Sequence, residues 1–508
     1  MPPQLATTAP PATLDHDSRS HVPVVALVIT ACDGEPWRVG ESAFMTPSIR
    51  WIGRGGESIT EFACFDKHRP GDPFPAHVGI AGCLHGDSIS RKLWKTTVSG
   101  FEIDIENNGT APMLHNGDEV TRATVRPGDT ITSLGGVSFL CVLRPAAFPV
   151  LRHASVAHAF GELDAAGNVG EGPAIWAARD VATRLGRGTD YVLILGETGA
   201  GKSGLAKLVH MASRRAAREF VSHNAFNLTD SILMGDLFGK IANYPAPGPA
   251  IAGLLPTAEG GTLFLDEIAN LSLAGQKALL TTLEDGRYKR IGEDTPRTLD
   301  VRFLGATNRD RSALQGDFHY RFTADLHIVP LRERREDIPL VARVMLRRRL
   351  AKNPELARLF TKGPSGAMYP TISVRLMDFL MRHELLGNAR ELDHLLGEAI
   401  GESHEGRIMM FSKERSLQSI RPAASERVPS GPVSSVAAPV SSAKGGKKSE
   451  QAPVVPLARE RVVAALAAAN GSVTKAADSL GVQRNKFYRA MEEMGLKPKG
   501  EKDGKGEE

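Results

Sequence analysis

Gly196-Glu197-Thr198-Gly199-Ala200-Gly201-Lys202-Ser203 follows directly on the apolar run Tyr191-Val192-Leu193-Ile194-Leu195. A buried strand that feeds a glycine-rich turn lets backbone N–H groups converge on an anion at the start of the next helix. The chemistry is that of a phosphate cradle, in which Lys202 contacts the β- and γ-phosphates of a nucleoside triphosphate and Ser203 the magnesium ion. Two more apolar runs end in polar groups suited to the same site. Leu263-Phe264-Leu265 leads into Asp266, able to hold magnesium, and Glu267, able to orient an attacking water. Val301 to Leu304 leads to Asn308, placed either to touch the γ-phosphate or that water, or to cap the strand end. ATP and Mg2+ are the ligands these residues call for.

The elements that must position this chemistry lie in the middle of a chain too long for one core. At 508 residues, roughly two to four domains are expected. Lys+Arg 62 against Asp+Glu 58 leaves a formal charge of +4, too mild to name a partner, so any basic surface is local. Cys32, Cys64, Cys83 and Cys141 lack paired zinc spacing, which fits a reduced protein. Met1 to Asp17 has neither a basic n-region nor an apolar core, and no later run is long enough to cross a bilayer, so a cytoplasmic protein without membrane contact is expected.

Six regions follow a disordered start at 1–21. Short apolar runs alternating with Gly, Asn and Asp turns over 22–147 indicate an all-β sandwich. Strands interleaved with helices over 165–336 indicate a parallel α/β sheet, followed by a helical piece at 337–410. Residues 411–456, crowded with Pro, Ser, Ala and Lys, read as a flexible linker. A compact helical unit at 457–497 precedes a charged tail at 498–508.

Motifs in register carry a resemblance. Gly196 to Ser203, Asp236-Leu237-Phe238-Gly239, Gly260 to Ile268, Ala306 to Asp310, Pro330 to Pro339 and Gly387-Asn388-Ala389-Arg390-Glu391-Leu392 are similar to the AAA+ domain of bacterial enhancer-binding proteins, the sigma-54-dependent activators. The likeness implies a ring-forming ATPase, a hexamer, with its site shared between neighbours. It implies that Arg390 meets the nucleotide from a helical lid, though a solvated helix charge is the alternative, and that Asn224 pairs with the water-orienting Glu267. The family sets two arginines against the neighbour's phosphates; here Leu314 to Arg321 keeps only Arg321. Losing an arginine that alone stabilises the transferred phosphoryl costs about a thousandfold or more, so binding is expected more firmly than fast turnover. The family's sigma-gripping Gly-Ala-Phe-Thr-Gly-Ala loop is replaced by Asn243-Tyr244-Pro245-Ala246-Pro247-Gly248, where two prolines fix φ and remove donors.

Ile52-Gly53-Arg54, Asp87 to Arg91, Asn107 to Thr110, Asn116-Gly117-Asp118 and Arg126 to Ile131 resemble a forkhead-associated (FHA) domain. That likeness implies phosphothreonine recognition by Arg54, Ser90 and Asn108 with Arg91 in support, although Lys92-Leu93 stands where the family has a histidine. An arginine, a hydroxyl and amide donors suit a dianionic phosphate. Glu460 to Ala469, Val473 to Leu480 and the stretch from Gln483 resemble a Fis-type helix-turn-helix, implying contacts to double-stranded promoter or enhancer DNA from Gln483, Arg484, Asn485, Lys486 and Arg489. A three-helix protein-docking module is the other reading of that unit. The whole is expected to be an ATP-dependent DNA-binding regulator controlled by a phosphothreonine protein. Two rivals stand beside it: a regulator that uses ATP only to assemble and never touches sigma-54 polymerase, and a phosphopeptide adaptor with a vestigial ATPase.

Overall fold

Strand β1 (Pro23–Cys32) is buried along almost its whole length, as its unbroken apolar run requires of a strand covered on both faces. Val25, Leu27 and Ile29 point into the sandwich. A bulge between Ile29 and Ala31 then reverses the alternation, so that Cys32 returns to the sandwich core while Ala31 joins a second core built by residues from 331 onward. The computed structural model describes residues 23–408 apart from 56–60, 70–82, 146–150, 156, 229–232, 245–246 and 404–405. The expected disordered start, the expected linker at 411–456, the helical unit at 457–497 with the expected DNA contacts Gln483, Arg484, Asn485, Lys486 and Arg489, and the tail lie outside the described residues.

The remaining sandwich strands are β2 (Ser42–Phe44), β3 (Trp51–Ile52), β4 (Trp94–Ser99), β5 (Glu102–Asn107), β6 (Met113–His115), β7 (Asp118–Val120), β8 (Arg122–Val125), β9 (Thr130–Ser133) and β10 (Val137–Pro145). They form a six-stranded sheet, β2-β1-β10-β9-β6-β7, and a four-stranded sheet, β3-β4-β5-β8. Trp94 meets Phe139 edge-on at 5.7 Å, and Phe139 stacks on Phe65 at 5.1 Å, filling the space between the sheets. The all-β expectation for this region holds.

The α/β region opens with α1 (Pro173–Arg187), entered through Pro173 in its first turn. After it come β11 (Val192–Leu195), α2 (Lys202–Met211), β12 (Phe220–Asn224), α3 (Leu233–Phe238), the hairpin β13 (Gly239–Lys240) and β14 (Ile251–Ala252), α4 (Leu254–Thr257), β15 (Thr262–Asp266) and α5 (Leu273–Asp285). Ser272 caps α5 by accepting from Gly275 N, and Gly286 ends it at φ 59°. A small hairpin, β16 (Arg287–Tyr288) and β17 (Arg297–Thr298), precedes β18 (Arg302–Thr307), α6 (Gly316–Tyr320) and β19 (Ala324–His327). Five strands run parallel in the order β12-β15-β18-β11-β19, with apolar cores on both faces. The order reverses direction at β11, and ligands of such sheets bind beyond the strand C-termini at that point.

The region from 337 is less helical than its sequence suggests. Pro354 stops α7 (Ile338–Lys352) from continuing, and a turn from Gly363 to Gly366 folds β20 (Phe360–Lys362) onto β21 (Met368–Pro370) before α8 (Val374–Arg382) and α9 (Asn388–Gly401). Asp378 on α8 accepts from Thr130 Oγ1 at 2.7 Å, so the sandwich packs directly against the lid. Among the described residues no helix is long and apolar enough to cross a membrane.

Candidate nucleotide site and phosphopeptide loops

Lys202 opens α2 with its side chain only 4% exposed, and its Nζ donates to Gly196 O at 3.0 Å and Glu197 O at 3.3 Å. Gly199 and Gly201 take φ of 78° and 111°, a backbone path open to glycine at little cost, and so curl the loop around that ammonium. Glu267 Oε1 stands 3.5 Å from Lys202 Nζ. Its own φ of 54° is rare for a side-chain-bearing residue, and Asp266 Oδ1 steadies the turn by accepting from Glu267 N at 2.9 Å. Asn308, just beyond β18, donates to Thr198 Oγ1 at 3.1 Å. Lys202, Ser203, Asp266, Glu267 and Asn308 therefore gather at one edge of the sheet. The hydroxyl of Ser203 and the carboxylate of Asp266 are hard oxygen donors of the kind magnesium takes.

Asn224 ends β12 in register with Asp266, but the expected pairing with Glu267 is not made. Its Oδ1 accepts from Phe226 N at 2.9 Å and caps the short turn that follows, a local bond that an asparagine at a strand end forms readily and that leaves its Nδ2 donor uncommitted. Arg321 lies at the far edge of the sheet, pairing with Glu284, beside Tyr191 at the start of β11. A strand's length separates it from Lys202 of its own chain.

The lid meets the loop through a residue the sequence reading passed over. Arg390 is exposed. Asn388, two positions earlier, is fully buried at φ 52° and spans three segments: Nδ2 donates to Glu197 Oε2 at 3.0 Å and Thr198 O at 3.2 Å, while Oδ1 accepts from Leu331 N at 2.8 Å. Arg332 grips Glu197 with two bonds of 2.5 and 2.6 Å, and Arg334 donates to Ala200 O at 2.7 Å. Hydrogen bonds from Arg332 and then Asn388 hold the Glu197 carboxyl down at about 2. The signal for Asn388 was the Gly387-Asn388 pair at a helix start, where asparagine tolerates a left-handed φ. A cavity of about 190 Å³ lies beside the loop, lined by Asn168, Ile175, Gly199, Gly201, Leu331 and Met345 among others.

At one end of the sandwich, backbone pairing gathers the four residues named for phosphothreonine. Arg54 N donates to Ser90 O at 3.2 Å, Gly55 N to Arg91 O at 3.3 Å and Asn108 N to Leu93 O at 2.9 Å. Gly109 leaves room for Ser90, whose Oγ is 3.2 Å from where a Cβ on Gly109 would stand. Arg54 reaches Asp87 only loosely, at 3.8 Å, and its buried Nε makes no hydrogen bond among the described residues.

A family model described as the sigma-54 interaction domain matches residues 169–331, and one described as bacterial regulatory protein, Fis family, matches 458–494. The chain is 32% identical over 330 residues to the transcriptional regulatory protein ZraR of Klebsiella oxytoca, covering 63% of this chain and 67% of that protein. It is 36% identical over 243 residues to the Nif-specific regulatory protein of Bradyrhizobium diazoefficiens, covering 46% of this chain and 40% of that one. The crystal structure of NtrX from Brucella abortus aligns at 22% identity and a TM-score of 0.43 over 65% of this chain and 69% of NtrX. With a sigma-54 interaction domain, a Fis-type segment and two thirds of a regulator's length in common, the chain belongs to the family of sigma-54-dependent transcriptional regulators.

Proposed function

We propose that the chain is an ATP-driven regulator of sigma-54 polymerase whose ring is tethered to promoter or enhancer DNA by residues 457–497 and controlled by phosphothreonine binding to an FHA domain at 22–147. The observation that carries this reading is the convergence of Lys202 and Glu267 at 3.5 Å, with Asp266 and Asn308 on the same sheet edge. Lys202 exchanges its two carbonyl partners for the β- and γ-phosphates, while Ser203 and Asp266 hold Mg2+. Glu267 orients a water for in-line attack on the γ-phosphorus, giving ADP and phosphate. Arg321, a strand's length of about 15 Å from its own loop, serves the site of the adjacent subunit in a homo-oligomeric ring, and Arg390 meets the nucleotide from the lid at 337–410. The test is transcription from a native target with purified sigma-54 polymerase: ATP-dependent open complexes support the reading, and their absence with folded protein rejects it.

One observation favours a second reading, in which ATP serves assembly alone. The segment that replaces the sigma-gripping loop is closed at its base, where Asn243 N donates to Gly248 O at 2.9 Å and Gly248 N to Asn243 Oδ1 at 3.2 Å. Between those two residues the sequence carries prolines at 245 and 247, each of which fixes φ and removes a backbone donor that a partner could use. ATP-dependent oligomers without open complexes are its signature.

A further inference from the structure

Segment 331–337 leaves the ATPase sheet after β19 and enters α7 as two short 3-10 turns, Leu331–Glu333 and Arg335–Asp337. Its side chains reach the phosphate loop, the sandwich, α8 and the entry to α1. Arg332 and Arg334 hold the phosphate loop at Glu197 and Ala200 O. Arg335 Nη1 donates to Gly128 O at 2.7 Å, in the turn between β8 and β9 of the sandwich, and its Nε to Met381 O at 2.5 Å in α8. Glu336 pairs with Arg144 of β10. Asp337 Oδ1 then accepts from Glu171 N at 2.8 Å and Gly172 N at 2.9 Å, fixing the entry to α1.

One peptide unit separates the residue that holds Ala200 from the residue that holds Gly128. The route from Gly128 or Arg144 to the phosphate loop therefore runs through neighbouring residues of one short segment. The Arg144 and Glu336 side chains are only 4% and 13% exposed, which leaves water little access to replace either partner.

We propose that the sandwich is a positioning element of the nucleotide site: Arg144, acting through Glu336 and segment 331–337, sets the phosphate loop's geometry and with it the affinity for ATP. The inference rests on the nucleotide reading given above. Arg144 touches no nucleotide and is a positioning residue. By linkage, ATP in turn tightens the hold of segment 331–337 on the sandwich. Other attachments bypass this segment, namely Thr130 Oγ1 to Asp378 Oδ1 at 2.7 Å and Arg407 Nη1 to Asp33 Oδ2 at 2.8 Å, and they supply a control.

The experiment measures ATP binding by calorimetry and the KM and kcat of ATP hydrolysis on the full chain as wild type, Arg144→Met, Arg144→Lys and Thr130→Val. Arg144→Met is expected to weaken ATP binding and raise KM about tenfold, in the usual range for coupled sites, while kcat at saturation changes less than about twofold. Arg144→Lys, which keeps the charge, recovers most of the affinity, and Thr130→Val stays within about twofold of wild type. Wild-type affinity in folded Arg144→Met, or an equal loss in Thr130→Val, overturns the proposal. If circular dichroism finds Arg144→Met unfolded, Glu336→Gln is read in its place against the same thresholds. A wild-type protein that takes up no ATP would instead bring down the nucleotide reading itself.

Discussion

The phosphate loop of the ATPase and the Arg54 end of the sandwich are both loops at the rim of a sheet, yet they are held in opposite ways. Side chains from outside the phosphate loop brace it: Arg332, Arg334, Asn388 and Asn308 all donate to residues between Glu197 and Ala200. The sandwich loops are tied by backbone bonds to one another, leaving Arg54, Ser90 and Asn108 with few side-chain partners. A loop braced by other elements reports to them, because occupancy and bracing share one free energy. A loop braced by its own backbone presents a ready-made surface whose side chains are free to engage a ligand.

That contrast is broken most severely at Asn388. Replacing it by Ala strands Leu331 N and puts a Cβ-bearing residue without a polar side chain at φ 52°. A loss of about 2–4 kcal/mol is expected, read as a lower denaturant midpoint at unchanged m-value. The exposed Arg390→Ala should stay within about 0.5 kcal/mol. At the other rim, Arg54→Ala should weaken a phosphothreonine peptide by about 10–100-fold in a fluorescence titration, the worth of one charge-assisted bond, and leave stability nearly unchanged. Equal loss for the unphosphorylated peptide would show that Arg54 does not read phosphate.

The smallest effect is on pH. Because Arg332 and Asn388 lower the Glu197 carboxyl from 4.5 to about 2, its stabilising contribution is whole above about pH 4.5 and is lost as pH falls toward 2. Glu197→Gln should therefore flatten the acid limb of the stability curve in that window and lower stability by a small, pH-independent amount above it. Glu197 is over a third exposed, so the difference will be modest. Superimposable acid limbs would mean that Arg332 does not grip it in solution.

Much of this was legible in the chain. Apolar runs closed by Gly196, Asp266 and Asn308 marked strands whose ends share an edge, since local pattern and ligand chemistry agree there. Alternating runs with Asn-Gly turns marked the sandwich. The bulge at Ile29 to Ala31 was not legible, because both faces of β1 are apolar and the pattern there is silent on direction. Nor was the β20-β21 hairpin, short and embedded among helices, or the cap in which Asn224 Oδ1 accepts from Phe226 N, a local bond that the strand pattern does not signal. Asn388 escaped because its role depends on which loop the lid covers, a fact of tertiary packing.

The account turns on a triphosphate seated at Lys202. Titrating Mg-ATP into the folded 508-residue chain in a calorimeter should give saturable heat that vanishes in Lys202→Ala and persists in Arg54→Ala. Wild-type protein with no heat of binding, or Lys202→Ala binding as tightly as wild type, would contradict it.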